Sequence, residues 1–190
     1  MSVAHFSIEQ LIALRDDAVA AALVLPEFAA RASLARRTCE RSALFACMVE
    51  QSLPIPLDLL GIRSLLIVDD EPPVLRSMVR LLRQAAPELN ITLAESASDG
   101  IAHAEVELPD AILLDAYMPA TNGVQVCSRI LGTPATSHIP ILAMTADPTP
   151  ELASAFERAG AVAFLEKPVV VARLFEILST HLLPSAAGDS

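Results

Sequence analysis

The chain has 190 residues, a formal net charge of −10 and an isoelectric point near 4.7. This net negative charge argues against non-specific binding to nucleic acids or to anionic membranes, which carry the same sign of charge. Hydrophobic residues make up 53% of the sequence but aromatic residues only 4%, so the predicted core consists of Ala, Leu, Val and Ile. The length suits one domain of ordinary size with an extension.

Cysteine usage and hydropathy predict a cytoplasmic protein. Cys39, Cys47 and Cys127 have no metal-ligand spacing and cannot all pair with one another, which is typical of a reducing compartment. The longest early apolar run, residues 18–25, is too short to cross a bilayer, and nearby acidic residues disfavour a signal peptide. We therefore expect neither a membrane nor a nucleic acid as partner.

Residues 1–52 have the pattern of an α-helical hairpin. Apolar residues recur at helical spacing in two runs separated by Pro26, and the second predicted helix spans about 27–51. Pro54 and Pro56 then disfavour helix, so residues 53–63 are predicted to form an extended connector. Because two helices alone bury little surface, the hairpin is expected to pack on the following domain, on a second copy in a homodimer, or on a partner.

Residues 64–183 alternate between short apolar runs and amphipathic stretches. The predicted strands are 65–68, 91–93, 111–114, 140–144 and 161–165, each followed by a predicted helix, of which the second begins at Ser98. Strict alternation predicts a parallel sheet with helices on both faces and right-handed crossovers. Residues 184–190 are predicted to be a flexible tail.

Polar groups of different types stand where four of these strands end. Asp69 and Asp70 follow the first strand, Asp115 follows the third, and Thr145 and Lys167 follow the last two. One such residue could simply cap the next helix. Ligands of open α/β sheets, however, bind at the carboxyl ends of the strands, so we expect these groups to form one site.

The residue types at this edge suit phosphoryl chemistry. Three carboxylates repel one another unless a cation lies among them, and carboxylate oxygens with room for water suit Mg²⁺. Asp115 could then attack phosphorus and become an aspartyl phosphate. The metal, the Thr145 hydroxyl and the Lys167 ammonium would each balance one phosphoryl oxygen. Lys167 is the only lysine among the 13 Lys and Arg residues.

Four motifs, in this order, resemble those of response regulator receiver domains of two-component signalling, including the chemotaxis regulators. They are Asp69-Asp70-Glu71, Asp115-x-x-Met118-Pro119-x-x-Asn122-Gly123, Met144-Thr145-Ala146 and Phe164-x-x-Lys167-Pro168. The resemblance covers residues 64–183. It implies a flavodoxin-like, doubly wound, five-stranded parallel sheet of order 2-1-3-4-5, here preceded by the helical hairpin.

The same resemblance implies a set of ligands and roles. Mg²⁺ would be held by Asp70, Asp115 and the Tyr117 carbonyl, with Asp69 acting through water. Asp115 would accept the phosphoryl group from a histidine kinase, and the Lys167-Pro168 peptide bond would be cis.

Switching in this family also predicts roles for residues around the acceptor. Thr145 would move toward the phosphoryl group and let Phe164 turn inward, which reshapes the face of the fourth helix, fifth strand and fifth helix. Phe164 would equally suit a plain core position. In this family, the positions that Tyr117 and Asp147 occupy here, two residues beyond Asp115 and Thr145, influence how fast the phosphoryl group is lost.

We therefore expect a Mg²⁺-dependent response regulator that signals through contacts with a downstream protein and turns over no separate substrate. No output module is expected after residue 183. The alternatives are a phosphorylation-independent binding module of the same fold, or a phosphorelay intermediate or phosphate sink. A phosphatase with an Asp nucleophile is disfavoured, because such enzymes usually carry a second Asp at the position of Tyr117.

Overall fold

The structure, a computed structural model, describes residues 48–49, 54–55, 57–119 and 121–182. The predicted helical hairpin of residues 1–52, apart from Met48 and Val49, lies outside the described residues. So do Cys39 and Cys47 and the predicted tail of residues 184–190. Met48 and Val49 are helical.

Short helices and strands alternate along the rest of the described chain. In order they are α1 (Leu57–Leu60), β1 (Ser64–Val68), α2 (Pro72–Ala85), β2 (Asn90–Ala94), α3 (Ala97–Glu107), β3 (Ala111–Asp115), β4 (Tyr117–Met118), β5 (Thr121–Asn122), α4 (Gly123–Leu131), β6 (Ile141–Thr145), α5 (Pro150–Arg158), β7 (Ala163–Glu166) and α6 (Val171–Leu182). None of the helices in the described part is long and apolar enough to cross a bilayer.

Five parallel strands form one sheet of order β2-β1-β3-β6-β7. This confirms the predicted order 2-1-3-4-5. Strands β3 and β6 are buried at every position because they lie inside the sheet with helices on both faces, which is why their sequences are continuous apolar runs. The short strands β4 and β5 pair as a separate antiparallel ribbon just after β3.

Alternate residues of each strand build two apolar layers. On one face, Leu65, Ile67 and Leu113 pack with α2 and α6. On the other face, Leu66 and Ile112 pack with α3, α4 and α5. This period of two follows from the pleat of a strand, and it gives the domain three layers, helix–sheet–helix.

Three helices begin at a side chain that accepts a hydrogen bond from the first turn. Ser96, Asn122 and Thr149 cap α3, α4 and α5, respectively. Helix α3 therefore starts at Ala97, one residue before the predicted start at Ser98, because the Ser96 hydroxyl caps it. Because β3 and β6 are parallel neighbours, the capped helices α4 and α5 follow turns at the same edge of the sheet.

The segment before β1 differs from the extended connector predicted for residues 53–63. Residues Leu57–Leu60 form helix α1, and Leu60 and Ile62 are 0% and 1% exposed. A proline disfavours helix at the residue before it and suits a first turn, so Pro56 does not prevent a helix from starting at Leu57. Burial of the apolar side chains against α6 then stabilises the turn.

Candidate functional site

The carboxyl ends of four strands meet at one edge of the sheet. Asp69 follows β1, Asp115 ends β3, Thr145 ends β6 and Lys167 follows β7. The backbone fixes this arrangement, since the Lys167 amide donates to the Thr145 carbonyl at 2.7 Å. Residues up to 98 positions apart in sequence are thereby brought into contact.

The Lys167 ammonium joins two carboxylates at the centre of the site. Its Nζ lies 2.7 Å from Asp69 Oδ2 and 2.8 Å from Asp115 Oδ1. Asp69 is 0% exposed and Asp115 is 4% exposed. Ion pairs this short in a buried setting are stronger than surface pairs, because little water screens them. The second Asp69 oxygen accepts a hydrogen bond from the Glu71 amide at 2.9 Å.

Burial and charge shift the pKa of both partners upward. Burial raises the pKa of Asp115, and the neighbouring Asp69 charge adds to this, while the hydrogen bond and charge of Lys167 oppose it. Burial alone would lower the pKa of Lys167, but the hydrogen bonds and charges of Asp115 and Asp69 outweigh it and raise that pKa. Lys167 therefore carries a positive charge at neutral pH, and Asp115 is more basic than an ordinary carboxylate.

Asp70 completes a cluster of three carboxylates. One oxygen from each of Asp69, Asp70 and Asp115 lies within 4.8 Å of the others. Asp70 is half-buried whereas its two partners are buried, so the cluster is open on one side. Three hard oxygen donors with an open side fit a divalent cation that keeps some of its waters. One lysine alone does not balance three negative charges.

Thr145 ends β6, the strand that lies between β3, which carries Asp115, and β7, which carries Phe164. Thr145 is 0% exposed, and its Oγ1 accepts a hydrogen bond from the Asp147 amide at 3.2 Å. Phe164 is half-buried, and its ring lies 5.9 Å from the ring of Phe156 at an interplanar angle of 44°. Phe156, fully buried in α5, was not singled out from the sequence, where it is one apolar residue in an amphipathic helix.

The loop after β3 approaches Asp115 closely. Tyr117, two residues beyond Asp115, is 57% exposed at the rim. The Gly123 amide donates to the Ala116 carbonyl at 3.1 Å. A Cβ at residue 123 would overlap the Asp115 carbonyl oxygen, so only glycine fits where α4 begins. The Lys167-Pro168 peptide bond is cis, which confirms the expectation from the sequence.

The model of the family described as the response regulator receiver domain matches residues 65–179. The chain belongs to this family. Residues 65–179 are thus a receiver domain of the kind found in two-component response regulators, and receiver domains in general interact with histidine kinases and downstream proteins. Receiver domains bind Mg²⁺ through an acidic pocket, and this structure holds a cluster of three Asp residues.

Two relatives illustrate the extent of the similarity. The chain is 31% identical over 118 residues to Protein PilH of Pseudomonas aeruginosa, and the match covers 62% of this chain and 96% of PilH. It is 35% identical over 118 residues to the sensory/regulatory protein RpfC of Xanthomonas campestris, a match that covers 60% of this chain and 16% of RpfC. The chain thus spans nearly all of PilH but only a small part of RpfC.

Solved structures support the same fold. The CheY-like receiver domain protein of Methanospirillum hungatei superposes with a TM-score of 0.58 at 25% identity, covering 64% of this chain and 94% of that one. The receiver domain of a DNA-binding response regulator from Colwellia psychrerythraea gives a TM-score of 0.56 at 29% identity, covering 60% and 92%.

Proposed function

We propose that this chain is a response regulator whose Asp115 carboxylate accepts a phosphoryl group from a histidine kinase. The observation that carries the proposal is the contact of Lys167 Nζ with both Asp115 and Asp69, the two buried members of the three-carboxylate cluster. A lysine held here is a point charge ready to meet a phosphate oxygen.

Each residue of the site has a distinct task in the proposed reaction. An Asp115 oxygen attacks phosphorus, the new O–P bond forms, and the P–N bond to the donor imidazole breaks with its electron pair going to the leaving nitrogen. Lys167 and the Thr145 hydroxyl balance the charge on two phosphoryl oxygens. Burial of Asp115 and Thr145 limits water at the reacting atoms.

The cluster also suits Mg²⁺, which we propose as the cofactor. Asp70 and Asp115 would hold it together with the Tyr117 carbonyl, and Asp69 would act through water. When bound, the metal supplies neutralising charge for a phosphoryl oxygen. The match of three oxygen donors with one open side supports this assignment.

We propose that output proceeds through protein contacts, with the phospho-form recognised by a downstream partner, and that no separate substrate is turned over. The match covers 96% of PilH, so PilH itself has little length outside the receiver region. A phosphorylation-independent binding module, or a relay that passes the group to a second histidine protein, are the alternatives that the experiment below separates.

Intact mass after incubation with acetyl phosphate and Mg²⁺ tests the proposal. Wild type is expected to gain one phosphoryl group and Asp115→Asn none. Asp99→Asn, the same chemical change at an exposed site on α3, is the matched control and should gain the group. No gain in wild type would contradict the proposal and favour the binding module. Loss of the group to an added histidine phosphotransfer protein would identify a relay.

A further inference from the structure

Helix α6 is buried on more than the side that faces the sheet. Residues 174–179 are all buried, and an unbroken run longer than one helical turn points in every direction around the axis. Glu176 is 7% exposed and Ser179 is 0% exposed, although Leu174 and Leu178 already take up the inner face. An outer helix of an α/β domain normally leaves one side in water, so another segment covers α6.

The segment before β1 provides part of this cover. We call residues 54–62 the pre-strand segment, of which residues 54–55 and 57–62 are described. Ile55, Leu60 and Ile62 are at most 2% exposed and belong to the same apolar cluster as α2 and α6, as does the helical residue Met48. Helix α1 packs directly against α6.

A backbone hydrogen bond fixes the pre-strand segment to the domain. The Ile55 amide donates to the Ala85 carbonyl at 2.6 Å. Ala85 is the last residue of α2, and carbonyls in the last turn of a helix have no partner within the helix. The segment therefore satisfies a helix end as well as burying apolar surface.

The same cluster reaches the phosphoryl-acceptor site through a short stretch of chain. Lys167, paired with Asp115, is followed closely by Val169 and Val171, which are 7% and 6% exposed. Both valines belong to the cluster that contains Leu60 and Ile62. At most four residues of chain thus separate Lys167 from the apolar cluster under the pre-strand segment.

We propose that the pre-strand segment is the receiver's own first output element, docked on α6 when Asp115 is unmodified and loosened when Asp115 is phosphorylated. This inference rests on the proposed function. A phosphoryl group changes the charge at Asp115 from one negative charge to about two and extends beyond the carboxylate, so Lys167 is drawn away from Asp69. Val169 and Val171 then shift with Lys167. The packing around Leu60 is dense, so Leu60 loses contacts when the cluster shifts.

Hydrogen exchange of the full chain, read by mass spectrometry, tests the inference. The peptide covering residues 54–62 is compared with and without acetyl phosphate and Mg²⁺, and intact mass records the phosphoryl gain in the same samples. We expect exchange in this peptide to become about tenfold faster in phosphorylated wild type, as for local opening. Asp115→Asn should show no change.

A pair of leucine variants distinguishes docking from general instability. Leu60→Ala should speed exchange of the 54–62 peptide without phosphodonor, leave the phosphoryl gain intact and remove most of the further response. Leu81→Ala, at an exposed leucine of α2, should behave as wild type. If Leu60→Ala does not fold, Ile55→Val provides a milder loosening, since it removes a single methylene.

The outcomes separate the two proposals. A phosphoryl gain with unchanged or slower exchange in residues 54–62 would overturn this inference and leave the proposed function standing. Failure of wild type to gain the group would overturn both.

Discussion

Ser64 and Asp110 bind each other reciprocally across the starts of β1 and β3. The Ser64 amide and hydroxyl donate to Asp110 Oδ2 at 2.8 and 2.9 Å, and the Asp110 amide donates back to Ser64 Oγ at 3.0 Å. The Arg63 amide also donates to Asp110 Oδ2, at 2.8 Å. This clamp holds the chain where the pre-strand segment joins the sheet.

The clamp makes stability depend on pH. Partial burial raises the pKa of Asp110, but the hydrogen bonds from Arg63 and Ser64 outweigh it, and the net pKa is lowered. A carboxylate with a lowered folded-state pKa stabilises the fold above its ordinary pKa of 3.8, and this contribution is lost as pH falls through the folded-state value. Because Asp110 is exposed, we expect Asp110→Ala to cost about 1 kcal/mol at pH 7.

Urea unfolding of wild type and Asp110→Ala at pH 7 and at progressively lower pH measures this effect. The difference in unfolding free energy should shrink as Asp110 of wild type becomes protonated. Glu105→Ala, at an exposed carboxylate of α3, is the control and should show little difference. A difference that stays constant down to the lowest pH at which wild type folds would contradict the assignment.

Lys167 is expected to matter for stability as well as for chemistry. Lys167→Met leaves Asp69 and Asp115 buried without their shared cation, and breaking a buried pair in this way costs about 3 kcal/mol or more. Unfolding in EDTA should show the full loss. Mg²⁺ should restore stability more in the variant than in wild type, because it replaces the missing positive charge. Equal Mg²⁺ responses would argue against a metal in the three-Asp cluster.

Tyr117 is expected to slow loss of the phosphoryl group. Its side chain stands at the rim of the site, 57% exposed, where it can hinder an approaching water molecule. We expect Tyr117→Ala to lose the phosphoryl group roughly three to ten times faster than wild type, since the shielding is removed. Tyr117→Phe keeps the bulk and should match wild type. The decay of intact phosphorylated mass measures both, and an unchanged rate in Tyr117→Ala would refute the shielding role.

Cys127 is expected to be inert in the folded protein. Its side chain lies on the buried face of α4 and is 0% exposed, and burial raises its pKa to about 11. The thiolate is the reactive form, so alkylation by iodoacetamide at pH 8 should be negligible until the domain opens. Peptide mapping with and without denaturant measures this. Rapid native labelling of Cys127 would show that the layer between the sheet and α4 opens readily.

The sequence predicted the sheet and its functional edge because both depend on strong local signals. Buried parallel strands have continuous apolar sequences, and the polar residue that ends each apolar run lies at the edge of the sheet. Asp115, Thr145 and Lys167 were found in this way, and the structure places them together.

What the sequence did not predict depends on contacts between distant segments. Helix α1 is short, and its stability comes from packing on α6 rather than from its own pattern. The Ser64–Asp110 clamp and the ring contact of Phe156 with Phe164 join residues whose proximity follows only from the completed fold.

The position of Lys167 between two buried carboxylates has a practical consequence for labelling and immobilisation. As the only lysine of the sequence, it is the only side-chain primary amine that an acylating reagent could meet. Its ion pairs and raised pKa keep it protonated, so amine coupling near neutral pH should be directed to the α-amino group. Harsher coupling would attach the support between Asp69 and Asp115, so preparations immobilised in that way would lose the phosphoryl transfer proposed for Asp115.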